Sequence, residues 1–102
     1  MQNFDLVILG GGPGGYPLAV RMARKGWQVA IVDSSSEFGG TCLNWGCIPT
    51  KALLASSRSY HLLKNAAEFG LSCTGAGFDW QKVQERKSRI TQQLRQGIIK
   101  LL

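Results

Sequence analysis

The strongest constraint on this chain is a glycine turn, LGGGPGGY at residues 9–16, entered from an apolar run and left into a helical pattern. Phe4 to Leu9 reads as a short buried strand. Pro13 to Lys25 carries Leu18, Ala19, Val20, Met22 and Ala23, then meets Gly26, so it reads as a helix closed by a glycine just past its end. Trp27 to Val32 (WQVAIV) is β-rich and stops at Asp33. Strand, helix and strand within about thirty residues make one βαβ unit, with parallel strands and a right-handed crossover. Gly10, Gly12 and Gly15 supply G-x-G-x-x-G in the one register that Pro13 and Pro17 leave open. Gly10 permits the tight turn, Gly12 lets a pyrophosphate approach the backbone, and Gly15 lets the helix pack on the strand. Pro13 and Gly14 complete the loop, and the N–H groups at the helix start face the phosphates. Asp33, 23 residues after Gly10, is placed to accept a hydrogen bond from a ribose hydroxyl. These features together point to a bound dinucleotide, and the turn alone does not separate FAD from NAD. Pro17 is the anomaly, because in this reading it falls inside the helix and removes an N–H there.

The rest of the chain is a polar loop from Ser34 to Gly40, then a mostly helical pattern from Thr41 to about Ala67, interrupted near Gly46 and Pro49. Phe69 to Gly77 is irregular, and Asp79 is a good N-cap for a last helix. That helix would set Trp80, Val83, Ile90, Leu94, Ile98 and Leu101 on one stripe. The expected architecture is therefore α/β. At 102 residues there is room for one domain of modest core. The net charge of +6 sits in the second half, where nine basic side chains face three acidic ones. Those charges are spread over two helical patterns rather than clustered with aromatics, which suits solvated helix faces better than a nucleic-acid or membrane surface. No apolar stretch approaches the roughly 20 residues of a membrane helix. The N-terminus lacks a basic leader segment and cleavage site, so a cytoplasmic chain is expected, where paired cysteines are more often catalytic or metal-binding than structural.

Cys42 and Cys47 lie in GGTCLNWGCIPTK. Zinc would ask for closer cysteine spacing or nearby histidines, and His61 is the only histidine. A plant-type iron–sulfur site would need a cysteine at position 50, which is threonine. No metal site is expected. Two unrelated thiols and a disulfide both remain open. In a regular helix residues five apart are about 8.6 Å apart, beyond the roughly 7 Å limit for a bridge. The segment must bend if the two pair, and Gly46 and Pro49 are residues that bend helices. Lys51, four residues after Cys47, would share its helix face, either to steady a thiolate or simply to meet solvent. Cys73 and His61 have no assigned role.

The stretch GGTCLNWGCIPTKALL resembles the active-site segment of the pyridine nucleotide–disulfide oxidoreductases, and DLVILGGGPGGY resembles their FAD fingerprint. FDWQKVQERKSRITQQLRQGIIKLL is similar to the long helix that follows in them, so the likeness spans essentially the whole chain. The wording LNWGCIPTKALL is more similar to the dihydrolipoamide dehydrogenase branch than to the glutathione or mercuric reductases. The resemblance implies that residues 1–102 are the first part of a Rossmann-like FAD-binding domain, itself incomplete here. It implies a redox disulfide, with Cys42 as the interchange thiol and Cys47 as the thiol packed on the flavin. It places Lys51 near the flavin's reactive nitrogen, and matches Gly10, Gly12, Gly15, Asp33, Gly40 and Thr41 to FAD contacts. The family usually carries glutamate where Asp33 stands. The implied reaction oxidises a dihydrolipoyl group on an acyltransferase or carrier subunit, passing electrons through the disulfide and FAD to NAD⁺ in a homodimer. In that plan the NAD-binding and interface domains, and the histidine–glutamate acid–base pair, lie beyond residue 102. The 102-residue chain alone is thus expected to turn nothing over and to hold FAD weakly.

Overall fold

The computed structural model describes residues 1–102. Strand β1 (Leu6–Leu9) pairs in parallel with β2 (Val29–Val32), Leu6 opposite Val29 and Leu9 opposite Val32. Helix α1 (Tyr16–Arg24) joins them. It begins three residues later than the sequence suggests, because residues 10–15 are consumed by the glycine turn and Gly15 becomes the N-cap. This removes the Pro17 anomaly. Pro17 occupies the first turn, where a backbone N–H has no helical partner to lose. The helix closes as the Gly26 pattern demands. Gly26, at φ +88°, donates to the Ala23 carbonyl and Trp27 donates to that of Met22, a Schellman ending.

The second half is an antiparallel helix pair. Helices α2 (Gly40–Asn44) and α3 (Cys47–Lys64) are separated by two residues, Trp45 and Gly46. A 3₁₀ turn (Ala66–Phe69) and an irregular stretch lead to α4 (Trp80–Leu101). Asp79 caps α4, accepting from the Lys82 N–H at 3.3 Å. Pro49 does not interrupt the helical pattern as its type suggests. It lies in the first turn of α3, where proline is tolerated, and only Gly46 breaks the segment. Arg86 donates to the Ala52 carbonyl at 3.3 Å, and the Tyr60 and Phe78 rings meet edge to face at 5.4 Å.

Along α4, Val83, Ile90 and Ile98 are half-buried as the stripe requires, but Trp80, Leu94 and Leu101 are exposed. The most deeply buried residue of α4 is Thr91. The packed face is thus turned toward Thr91 and Arg95, because this helix is anchored by a polar contact, from Arg95 to Asn44 of α2.

The core is small. Its buried apolar residues are Ala19, Leu43, Ala52 and Ala66, and no large side chain is fully enclosed. Parallel sheets normally have both faces covered, yet here Val7, Leu9 and Val32 are 52%, 83% and 52% exposed. The chain extends over 66 Å, with a radius of gyration of 19.7 Å, against about 13 Å for a compact domain of 100 residues. The α/β unit therefore presents apolar surface that a complete doubly wound sheet would cover.

Candidate redox and dinucleotide site

The glycine turn is built by backbone. Gly10, at φ +108°, takes a conformation that side chains resist, and its N–H donates to the Val32 carbonyl at 2.7 Å. A Cβ on Gly15 would collide with the Gly10 carbonyl oxygen and stand 3.1 Å from Ile8 Cγ2. Gly15 is therefore where helix and strand touch. The Gly12 carbonyl accepts from Gly15 and Tyr16, while the N–H groups of Gly12 and Gly14 make no hydrogen bond within the chain. Two free donors and no Cβ at the mouth of α1 fit an anionic diphosphate. Pro13 and Gly14 are exposed at the same mouth.

Asp33 has a task the sequence did not reveal. Its Oδ2 accepts from the Gly11 N–H at 2.8 Å and its Oδ1 from the Ser35 N–H at 2.9 Å. These donors, Ser35 first and Gly11 next, hold its carboxyl below the usual aspartate range. The acid at the end of β2 thus shapes the glycine turn itself. Each oxygen keeps a further lone pair for an outside donor.

The turn and the cysteine segment are in direct contact. The Gly39 N–H donates to the Gly11 carbonyl at 3.0 Å. Gly40, at φ +75°, lies so close to the turn that an added Cβ would stand 2.8 Å from Gly12 Cα and 3.1 Å from Pro13 Cδ. Thr41 is exposed in the first turn of α2 beside this contact.

Cys42 is half-buried within α2, and Cys47 is the exposed first residue of α3. The bend that a Cys42–Cys47 pairing requires is present at Gly46, where a Cβ would come within 3.1 Å of the Thr41 carbonyl and 3.4 Å of Cys42 Cα. Both cysteines are free thiols in this structure, as is the exposed Cys73. The Cys42 thiol is pushed up from its ordinary pKa, first by the close approach of the Cys47 side chain and then by burial. The Cys47 backbone N–H and the Lys51 charge pull weakly the other way. Lys51 is exposed on α3, within electrostatic reach of the pair. Two neighbouring thiols of this kind could exchange with a disulfide through a mixed-disulfide step. No group of three or more potential metal ligands gathers anywhere, and no helix is long and apolar enough to cross a membrane. His61 is exposed on α3 and engages only Asn65.

Sequence reasoning missed Asn44 and Arg95. Asn44 is buried, its amide nitrogen donating to the carbonyls of Glu37, Phe38 and Gly40 at 3.0, 3.3 and 3.1 Å. Its Oδ1 accepts from Arg95 Nε and Nη2 at 3.0 and 2.7 Å. Arg95 Nη2 also lies 3.6 Å from the Glu37 carboxylate. Arg95 lies beside Leu94 but off the apolar stripe, so spacing gave no signal for it.

Residues 4–102 match the family model described as pyridine nucleotide-disulphide oxidoreductase. The chain is 46% identical over 101 residues to a dihydrolipoyl dehydrogenase of Zymomonas mobilis, covering 99% of this chain and 22% of that protein. It is 43% identical to the dihydrolipoyl dehydrogenase of Acholeplasma laidlawii, covering 99% and 30%, and 43% identical to one of Bacillus subtilis, covering 98% and 21%. Among solved structures, the HOCl-induced flavoprotein disulfide reductase RclA of Escherichia coli, as a Cu(II) complex, superposes with a TM-score of 0.73 at 33% identity, over 100% of this chain and 20% of that one. The chain thus spans less than a third of the length of each of these relatives. With its parallel βαβ unit, glycine turn and paired thiols, the chain belongs to the pyridine nucleotide-disulphide oxidoreductase family.

Proposed function

We propose that this chain is the dithiol-bearing, FAD-binding part of a dihydrolipoyl dehydrogenase. The observation that carries the reading is the placement of Cys42 beside Cys47 at the Gly46 break, on a segment packed directly against the glycine turn. The names of the relatives favour a dihydrolipoyl group, presented by an acyltransferase or carrier subunit, as the reductant. FAD suits the turn: its diphosphate would take the free N–H groups of Gly12 and Gly14 at the start of α1, with Gly10, Pro13 and Gly15 forming the floor. Asp33 would accept from its ribose. Gly40 and Thr41 would border the diphosphate, and Lys51 would lie toward the ring.

In the oxidised enzyme Cys42 and Cys47 form the disulfide. A substrate thiolate attacks the Cys42 sulfur, and the Cys42–Cys47 bond breaks as a mixed disulfide forms. The second substrate thiol then attacks its own bridging sulfur, closing the cyclic disulfide and releasing the Cys42 thiol. Two electrons and two protons have moved from substrate to the cysteine pair. Bound FAD supplies the route by which that electron pair reaches NAD⁺. The chain's own residues fix the spacing of thiols and turn, and Lys51 opposes loss of negative charge near the pair. NAD⁺ would be bound outside these 102 residues, in a homodimeric cytoplasmic enzyme, so the chain alone should reduce no NAD⁺.

The likeness to RclA favours a second reading, a flavoprotein disulfide reductase with a different substrate. Serine variants of FAD-saturated protein test the assignment of roles. Cys47→Ser should abolish the long-wavelength absorption that a thiolate gives against a flavin, and Cys42→Ser should keep it. The opposite pattern would reverse the two roles. Failure of dihydrolipoamide to open the Cys42–Cys47 disulfide would favour the second reading.

A further inference from the structure

We propose that Asn44 and Arg95 are a positioning pair: Arg95 orients the Asn44 amide, and that amide locks the 37–40 loop so that the phosphate turn and the two thiols keep one spacing. The inference rests on the dithiol reading above and adds two residues to it.

An asparagine amide can sit either way round, with oxygen and nitrogen exchanged. Here only one orientation works. With Nδ2 facing the carbonyls of Glu37, Phe38 and Gly40, and Oδ1 facing two Arg95 donors, every close contact joins a donor to an acceptor. Exchanged, the oxygen would face three carbonyl oxygens and the NH₂ would face a guanidinium. The three carbonyls and the two Arg95 donors therefore fix the same amide orientation, Arg95 doing so from 51 residues away. The consequences reach two parts of the site. Asn44 stands between Cys42 and Cys47 in sequence and ends α2, so holding it holds the segment that carries the thiols. The loop it grips carries Gly39, whose N–H binds the Gly11 carbonyl, and Gly40, which abuts Gly12. One buried amide thus connects the redox segment to the dinucleotide turn, and α4 controls it. The charged Arg95 is only 21% exposed, though its nearest carboxylate, on Glu37, lies 3.6 Å away. Its closest partner is the amide, which fits a role in orienting Asn44 rather than a surface ion pair.

The test compares the unaltered 102-residue chain with Asn44→Asp, Arg95→Ala and Arg95→Lys. Asn44→Asp keeps the size of the side chain and its Arg95 partner, but turns an oxygen toward three carbonyls. Two quantities are read. Hydrogen exchange of the Gly39 amide by NMR reports the loop. The dithiol–disulfide equilibrium of Cys42 and Cys47 in a glutathione buffer reports the thiols, where two protein thiols lose two electrons and two protons as one glutathione disulfide becomes two thiols. We expect Asn44→Asp and Arg95→Ala to speed Gly39 exchange at least tenfold and to shift the equilibrium at least tenfold toward the dithiol, with helix content by circular dichroism unchanged. Arg95→Lys, which restores one donor, should recover part of both. Should Asn44→Asp unfold, the two Arg95 variants decide alone. Unchanged Gly39 exchange would overturn the clamp whatever the thiols do. Changed exchange with an unchanged thiol equilibrium would overturn its role in positioning the cysteines. If the unaltered chain forms no Cys42–Cys47 disulfide at any glutathione ratio, the dithiol reading fails instead, and Gly39 exchange still judges the clamp.

Discussion

Adjacent glycines in the turn should respond to the same substitution in opposite directions. At Gly15 an added Cβ runs into the Gly10 carbonyl oxygen and stands 3.1 Å from Ile8 Cγ2, so either the turn or the start of α1 must shift. Forcing one extra carbon into a packed contact costs about 1–3 kcal/mol, partly offset by the roughly 0.4–1 kcal/mol that alanine gains by restricting the unfolded chain. Gly15→Ala should therefore lose about 1–2 kcal/mol net. At Gly14 nothing lies within 4 Å of the place an added methyl would take, the residue is exposed, and its φ is not positive. Gly14→Ala retains only the gain of about 0.4–1 kcal/mol. The two variants should thus differ by about 2 kcal/mol, or roughly 10 °C in Tm for a chain of this size. Thermal and urea unfolding followed by far-ultraviolet circular dichroism measures this. Equal stabilities, or a loss at Gly14 matching that at Gly15, would refute the claim that Gly15 is the point of helix–strand contact.

Three further outcomes follow from the geometry. Thr91 is buried with its Oγ1 unpartnered, so Thr91→Val, close to it in shape, should raise stability by about 1 kcal/mol in urea unfolding. The Asp33 carboxyl is held below its usual range, so the stability it contributes is present above its unfolded pKa of about 3.9 and lost as pH falls through the lower folded value. Asp33→Asn should flatten the acid limb of a plot of urea midpoint against pH. The Cys42 thiol is raised chiefly by the Cys47 side chain, so Cys47→Ala should move the pH midpoint of Cys42 alkylation downward, as read by mass spectrometry of iodoacetamide-treated protein. An unmoved midpoint would mean burial, not the neighbouring thiol, sets it.

Much of this site is legible in the sequence because its key residues are glycines and a proline, whose backbone consequences are local. Gly10, Gly15 and Gly26 are each used as their positions suggest. Comparing helix geometry with disulfide reach demands a bend between Cys42 and Cys47 if the two pair, and the structure has a break there at Gly46. What is illegible depends on distance. Asp33 reads as a ligand-facing acid, but its grip on Gly11 needs the β1–β2 pairing to bring residues 22 apart together. Asn44 is two positions from a cysteine and still gives no signal, since its partner is 51 residues on. The helical stripe of α4 departs from expectation for the same reason. Counting apolar residues favours Trp80, Leu94 and Leu101, whereas a polar contact through Arg95 turns the helix so that Thr91 is innermost.

The most direct test is to add reductant stepwise to FAD-saturated protein carrying an oxidised Cys42–Cys47 pair while recording the flavin spectrum and counting thiols. The spectrum should change in proportion to the two thiols released, with Cys73 alkylated equally throughout, and Gly15→Ala should weaken the response. Release of both thiols with no change in the flavin would contradict the account.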